Sequence, residues 1–509
     1  MSVKRNIVSN LVAGVWVTGL TIAITPFQVN LLGIEAYGLI GFIATLQIVF
    51  AVFDLGLSST LTREIATDQS VDSARTIELI RTASTIYWTF AVGVGGALAL
   101  SSGLIASHWF TSSALSVVQI EHSLYAITIY LAVRWPVAMY VGVLTGLQRM
   151  DVLNVVKVLT ASLRLVGGVV VLVVWRDLQM FLWWTALNAI VEVLAYFIAC
   201  RRVFASMPWR FGMSLNVIKS VWAFSLSMSA LSLLGLLISQ LDRLFVSKLL
   251  PLDALGSYML ASNTAAVCSI GISAVSSAMI PSFAAAYAGG STSALSLRYE
   301  NADRVILFVV GFLVFPLIFF GDLILLIWIG PAAAAASGPL ALIAMGFWCS
   351  AVLSNAYSLA VASGKPGLPL RLSVISALPY AAVLYWLTRS HGTDGAAMAW
   401  LSLNLGYVVV LVPAVHRIIL KKSMRSWLTQ MLLPFALIGV GAFAGMKHLF
   451  AYLYGADWQH SSLVAHSLPF ELAALVGAIL LYAALGYLLL GREIRHSIWT
   501  TLRLRTQTP

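Results

Sequence analysis

Four basic residues of this 509-residue chain sit inside long apolar runs: Arg134, Lys157, Arg164 and Arg243. A charge held in hydrocarbon costs roughly 2.5 to 3.5 kcal/mol near a helix centre on insertion scales, so each needs a partner or a task. Depth sorts them. At about 1.5 Å per helical residue, Arg134 and Arg164 lie roughly 18 Å from the cytoplasmic ends of their runs, past the middle of a core about 30 Å thick. A lipid-facing arginine at that depth does not easily snorkel to water. Lys157 is about a turn and a half into its run, and Arg243 lies near the outer end of its own beside Lys248, so both can snorkel. Deep cations offer a seat for an anion, with phosphate or diphosphate held by charge-assisted hydrogen bonds.

Spacing adds to depth. On a helix, Asn154, Lys157, Ala161, Arg164 and Gly168 fall within an arc of about 80°, opposite a valine and leucine face. A stripe of that kind either packs on another helix through its small residues or lines a wet cavity; its two cations favour the cavity. Arg134 is followed by Trp135 and Pro136, and proline bends a helix by removing a backbone hydrogen bond one turn back. A cation beside such a kink reads as a substrate-facing group. Asn154, Lys157, Arg164 and Arg134 are therefore the candidate substrate-binding residues.

Asp54 and Glu192 lie roughly 12 to 14 Å from the cytoplasmic end, at depths that meet Arg134 or Arg164. They are either members of structural ion pairs, or groups that compete with an anionic substrate or carry a coupling proton. The segment Asp54-Leu55-Gly56-Leu57 also loosens a helix by itself. Asp242 and Arg243 are candidates for a local pair or an outer gate. Arg63, at the inner end of its run, reads as ordinary cytoplasmic charge. Spans eight to twelve contain no deep cation, which places the expected site in the first half.

The elements that must position these residues follow from composition. The chain is 60% hydrophobic and 10% charged, with a mean hydropathy of +0.93, whereas soluble domains carry about a quarter charged residues. An all-α polytopic membrane protein is the only class that fits. Apolar runs of spanning length predict about 14 transmembrane helices, at 8–32, 37–62, 82–106, 121–146, 152–175, 179–200, 220–249, 255–283, 304–329, 338–363, 369–388, 394–417, 428–450 and 469–491. The N-terminal run reads as a retained first span, not a signal peptide. With the N-terminus cytoplasmic, basic residues concentrate in inner segments, and the outer turns hold only Arg176, Lys248, Arg389 and Lys447, as the positive-inside rule requires. Both termini are expected in the cytoplasm. The net charge of +11 is thereby explained by topology, not by nucleic acid.

The chain also repeats itself. One shift lays Phe27 on Phe245, Leu31 on Leu249, Leu32 on Leu250, Glu35 on Asp253, Ala36 on Ala254 and Gly38 on Gly256. A long internal repeat of this kind is the mark of a transporter built from two related halves. The expected organisation is a six-helix lobe over residues 1–209, a second over 210–425, and an additional helix pair with a cytoplasmic tail over 426–509. Six spans separate the copies, so the lobes are expected to share orientation. The outer loop near 451–468, with Asp457, Trp458, His460 and His466, is small and reads as an interfacial loop.

LGIEAYGLIGF, FDLGLSSTLTREIA and QLDRLFVSKLLPLDALGSYMLA resemble the Wzx-like oligosaccharide and O-antigen flippases of the multidrug/oligosaccharidyl-lipid/polysaccharide exporter superfamily. The resemblance spans roughly residues 1 to 425 and rests on loose apolar patterns, not on a catalytic signature. It implies a bacterial inner-membrane protein of surface polysaccharide biosynthesis. Such a protein carries an undecaprenyl-diphosphate-linked oligosaccharide from the cytoplasmic to the periplasmic leaflet by alternating access, driven by a proton or sodium gradient. It implies membrane lipids, and a polysaccharide polymerase and chain-length proteins, as partners. Within the superfamily the alternative is a multidrug cation antiporter, which calls for an acidic cavity. Outside it, a membrane-embedded glycan polymerase or ligase needs a larger outer loop, and a non-transporting scaffold would use the deep arginines for stability alone.

No HExxH, CxxC, GxSxG or Walker pattern is present, and Gly93, Gly95 and Gly96 lack the strand and Lys-Ser/Thr of a phosphate loop. No enzyme activity, cofactor or metal is expected. Cys200, Cys268 and Cys349 indicate neither a disulfide framework nor a metal site.

Overall fold

The computed structural model describes residues 3–54, 56–67, 73–208, 211–454, 464–491 and 494–496. Among them every regular element is helical: α1 (Val3–Leu32), α2 (Ile34–Ala51), α3 (Leu57–Thr67), α4 (Ala74–His108), α5 (Val117–Arg134), α6 (Val137–Gly146), α7 (Met150–Trp175), α8 (Leu178–Val203) and α9 (Leu215–Leu249). There follow α10 (Leu252–Ala265), α11 (Cys268–Ala288), α12 (Thr292–Phe319), α13 (Gly321–Trp328), α14 (Ser337–Ala362), α15 (Gly367–Val415), α16 (Met424–Trp427), α17 (Leu433–Tyr454) and α18 (Val464–Leu489). The chain is an all-α polytopic membrane protein. Twelve described stretches are long and apolar enough to cross a membrane, where the sequence predicts about 14. One of them, Gly367–Leu420, covers the two spans expected at 369–388 and 394–417, and Gly392 inside it leaves helical geometry at φ 61°, ψ −136°.

Local chemistry sets the helix ends. Ser116 and Gln119 form a reciprocal capping box at the start of α5, and Asp177 accepts from the Met180 N–H at 2.8 Å to open α8; each satisfies donors that a helix start leaves orphaned. The fourth expected span is broken at Trp135-Pro136 into α5 and α6, as the proline predicts. The second expected span, 37–62, is also interrupted. A 3₁₀ turn over Val52–Asp54 separates α2 from α3, and Gly56 stands at φ 73°, a left-handed conformation that disfavours side chains with a Cβ. Asp54 restarts the helix by accepting from Ser58, Oγ at 2.7 Å and N at 3.4 Å.

Two compact units result, Met1–Gly256 and Ser257–Pro509. The expected boundary at 209/210 falls outside the described residues. On the far side of it, α9 packs on α2, α3 and α4 of the first unit. The segment before α9 is fastened to α4, where Gly212 and Thr85 exchange hydrogen bonds at 2.9 and 3.0 Å. The outer-loop residues Asp457, Trp458 and His460 also lie outside the described residues.

In the first unit, α7 packs between α1 and α8, α5 between α4 and α8, and α6 on α3. Lipid is as apolar as a leucine core, so close packing of small residues holds such helices together. On α6, Gly142 and Gly146 form a G-x-x-x-G face against α3: a Cβ at Gly142 would lie 2.7 Å from the Ser58 carbonyl oxygen, and one at Gly146 2.9 Å from that of Thr62. Gly142→Val is therefore expected to force α6 from α3 at a cost of about 1–3 kcal/mol, read as a lower unfolding midpoint of the purified protein.

A second glycine contact joins equivalent points of the repeat. A Cβ on Gly38, in the first turns of α2, would lie 2.7 Å from the Leu252 carbonyl oxygen, and one on Gly256 2.0 Å from that of Ile34. Glu35 is seated nearby by the Ser112 hydroxyl, the Ser113 hydroxyl at 2.6 Å and the Ser113 and Ala114 N–H groups at 3.2 and 3.1 Å.

In the second unit, α14 packs on α11, α12 and α15, and α17 and α18 pack on α12. The last pair shares the core: the Tyr482 hydroxyl donates to the carbonyls of Leu307 at 3.0 Å and Phe308 at 3.3 Å, among Phe308, Phe312, Phe315 and Phe443.

Candidate functional site

Arg134 closes α5 just before the proline kink, where the chain turns and the side chain leaves the helix surface. Its guanidinium grips Glu192 of α8 with two bonds, Nε to Oε2 at 2.9 Å and Nη2 to Oε1 at 3.2 Å. The Glu192 side chain is 9% exposed and that of Arg134 34%. Depth allowed Glu192 either Arg134 or Arg164, and the structure gives it to Arg134. Of the five guanidinium N–H groups, the bidentate grip occupies two and leaves three.

Arg134 lines a cavity of about 350 Å³ together with Gln47, Phe50, Asp54, Ser58 and Trp135. The interrupted second span supplies one wall, because Asp54 sits at the break between α2 and α3. Its oxygens are held by Ser58 and by the Tyr87 hydroxyl of α4, not by an arginine. Gln47 donates to the Tyr130 hydroxyl at 2.6 Å, and the Arg134 guanidinium carbon lies 6.0 Å from the Tyr130 ring centroid. Trp135 packs at a tilt against Phe90 at 4.7 Å and Phe50 at 5.9 Å, and Phe50 and Trp135 give the cavity an aromatic side. With Arg134 neutralised by Glu192, Asp54 is the remaining charge on this wall.

The stripe on α7 divides. Asn154 is buried and gives its amide hydrogens to Ser9 Oγ at 2.9 Å and Asn10 Oδ1 at 2.6 Å, which ties α7 to α1. Ala161 is buried, and a Cβ on Gly168 would meet Phe181 of α8 at 2.9 Å. Lys157 is exposed and Arg164 half-buried. Among the described residues neither side chain makes a hydrogen bond or ion pair. Around α7 the exposed Val155, Leu159, Leu163, Val166 and Val170 form one apolar face. At 100° per residue, Lys157 and Arg164 lie about 150° away from its centre. Their exposure is thus to a different space from the lipid-facing stripe. Asn154→Ala is expected to leave its α1 partners unsatisfied and to lower stability by about 1–3 kcal/mol, measured as a lower unfolding midpoint, with less effect on transport than loss of Arg164.

Arg243 donates from Nη1 to Gln240 at 2.9 Å, while its Nε–H is buried without a hydrogen-bond partner among the described residues. Asp242 is buried beside it. Neither lines the Arg134 cavity. The sequence reading missed Gln47, Ser58, Tyr87 and Tyr130. Gln47 alone carried a signal, a polar amide in the run IATLQIVFAVF, where hydrocarbon demands a partner.

The family described as Polysaccharide biosynthesis protein matches residues 3–286. A Shigella flexneri protein named as an O-antigen transporter is 22% identical over 406 residues, covering 79% of this chain and 94% of that protein. Among solved structures, the lipid II flippase MurJ in an inward closed conformation aligns with a TM-score of 0.70 at 12% identity, over 95% of this chain and 98% of that one. An inward-facing multidrug resistance MATE family transporter of the MOP superfamily aligns at 0.65 and 14% identity, over 83% of this chain and 96% of that one. These two share the fold. The relatives are transporters and a flippase, not enzymes, as the sequence led one to expect. This chain belongs to the polysaccharide biosynthesis protein family and is a membrane transporter.

Proposed function

We propose that the protein flips an undecaprenyl-diphosphate-linked oligosaccharide from the cytoplasmic to the periplasmic leaflet of the bacterial inner membrane, for surface polysaccharide biosynthesis. The observation that carries this reading is the pair of cations Lys157 and Arg164, whose side chains make no hydrogen bond or ion pair among the described residues, on the side of α7 turned away from its exposed apolar face. Two positive charges in a membrane that meet no carboxylate among the described residues suit an anion that arrives with the substrate. A diphosphate supplies that charge, and the free N–H groups of Arg134 extend the donor set. Glu192 holds Arg134 in place until phosphate competes for it. Membership of the polysaccharide family and the named O-antigen relative support a glycan carried on lipid.

The test is reconstitution of the full chain in liposomes with a fluorescent undecaprenyl-diphosphate oligosaccharide, its leaflet read by accessibility to a glycosidase added outside. The expected result is protein-dependent movement that free pyrophosphate-bearing lipid competes against. Absence of movement with the protein intact overturns the substrate assignment.

A second reading has its own observation. The Arg134 cavity carries Asp54 and an aromatic wall, which suits an organic cation. Export of a fluorescent lipophilic cation that Asp54→Asn abolishes, with no movement of the lipid-linked glycan, would favour a multidrug antiporter.

A further inference from the structure

The second unit buries a carboxylate with no cation. Asp303 on α12 is 1% exposed. Asn355 on α14 donates to its Oδ1 at 2.8 Å, and the Trp427 indole on α16 donates to its Oδ2 at 2.6 Å. Both donors are neutral, and among the described residues no basic side chain pairs with it. A polar atom is stranded beside it: the Oδ1 of fully buried Asn355 has no hydrogen-bond partner among the described residues, while the hydroxyl of Tyr299, one turn earlier on α12, lies close enough to Asp303 to interact with its carboxyl. His416 packs edge-on against the Tyr299 and Trp427 rings, each at 5.5 Å, with its Nδ1–H on the Val412 carbonyl at 2.9 Å. Charged groups stand on the elements around the cluster, with Arg417 next to His416. Glu300 is paired with Lys422 at 3.3 Å, Arg304 points toward Gly491, Arg425 lies on α16, and α11 and α14 contain no Asp, Glu, Lys, Arg or His.

An ionised carboxylate in such a place bears a desolvation cost that neutral donors offset only in part. A proton removes that cost. It also gives the stranded Asn355 carbonyl the donor it lacks, because a carboxylic acid and an amide satisfy each other, O–H to C=O and N–H to O. A metal cation requires several oxygens around it, whereas both carboxyl oxygens here already receive N–H groups. We propose that Asp303 is a proton-binding site of the second unit, which holds its proton in this conformation and releases it when water reaches the carboxyl. In that step the acid O–H bond breaks and the proton passes to water, leaving the carboxylate on Asn355 and Trp427. As a coupling site it rests on the transport reading above, and it stands apart from Asp54 and Glu192, both in the first unit.

The experiment reads the proton directly. Infrared difference spectra of the full chain in liposomes, between acid and alkaline pH, are expected to show a protonated-carboxyl band that Asp303→Asn lacks. Trp427→Phe removes a donor that favours the carboxylate, so the same band should persist to higher pH; this variant keeps the test open if Asp303→Asn fails to fold. Stimulation of transport by a proton gradient should be lost in Asp303→Asn. Superimposable spectra for wild type and Asp303→Asn, or no shift in Trp427→Phe, overturn the proton site. Gradient stimulation that survives in Asp303→Asn overturns its coupling role. If the wild type shows the band but moves no lipid-linked glycan, the substrate reading fails and the proton site stands.

Discussion

Arg134→Leu is expected to abolish glycan export and to destabilise the protein, whereas adding Glu192→Leu restores stability without restoring export. The first half follows from burial. Removing one partner of a buried, bidentate pair leaves the other charge uncompensated, at a cost of about 3–5 kcal/mol; the partly exposed Arg134 side points to the lower end when Glu192 is the one removed. Two leucines in the same space remove both charges, and replacement of this kind is often neutral or stabilising. Export depends on something the leucines do not replace, the three guanidinium N–H groups that Glu192 leaves free. Unfolding midpoints and surface glycan of the two single variants and the double variant form a thermodynamic cycle that separates the roles. Wild-type export in the double variant would make the pair a structural clamp.

Arg164→Ala is the complementary case, with a loss of transport and no loss of fold. Its guanidinium makes no hydrogen bond or ion pair among the described residues, so truncation strands no partner. Its backbone remains tied, with the carbonyl accepting from the Trp184 indole at 3.1 Å. If the side chain meets a diphosphate, removing a charged hydrogen bond costs about 1.5–3 kcal/mol, roughly a tenfold to hundredfold drop in transport at limiting substrate. Lys157→Ala acts on the same face and should weaken transport in the same direction, more steeply at low salt, because an exposed charge is screened. Arg164→Lys should recover part of the activity by restoring charge without the planar fork. Membrane levels equal to wild type with unchanged export in Arg164→Ala would remove α7 from the site.

Much of this arrangement is legible in the sequence because hydrocarbon leaves few options. Composition fixes the class, Pro136 marks the kink, Asp54 and Gly56 mark the interruption of the second span, and depth narrows the partner of Glu192 to Arg134 or Arg164. What depth and periodicity do not carry is which neighbour a face meets. Asn154 shares an arc with Lys157 and Arg164, yet α1 approaches one edge of that arc and takes its amide, while the two cations lie open. Asp303 was lost for a different reason. The charges from Arg298 to Arg304 place the start of the ninth expected span at 304, whereas α12 begins at Thr292 and carries Asp303 inside the packed helices. A boundary displaced by a few turns hides a buried carboxylate. The aromatic partners of Trp135, Phe50 and Phe90, come from helices distant in sequence, and only the packed structure brings them together.

The contact between Gly38 and Gly256 has an evolutionary consequence. The two residues are counterparts in the repeated sequence: a methyl group on Gly38 would meet the Leu252 carbonyl and the Gly256 backbone, and one on Gly256 would meet the Ile34 carbonyl, a turn before Gly38. A substitution in one copy is therefore judged by the other, as at the axis of a symmetric dimer where a residue faces itself. The deep cations stand in only one of the copies. At this crossing a side chain introduced at either glycine meets backbone of the other copy, so a change at one position is constrained by the other.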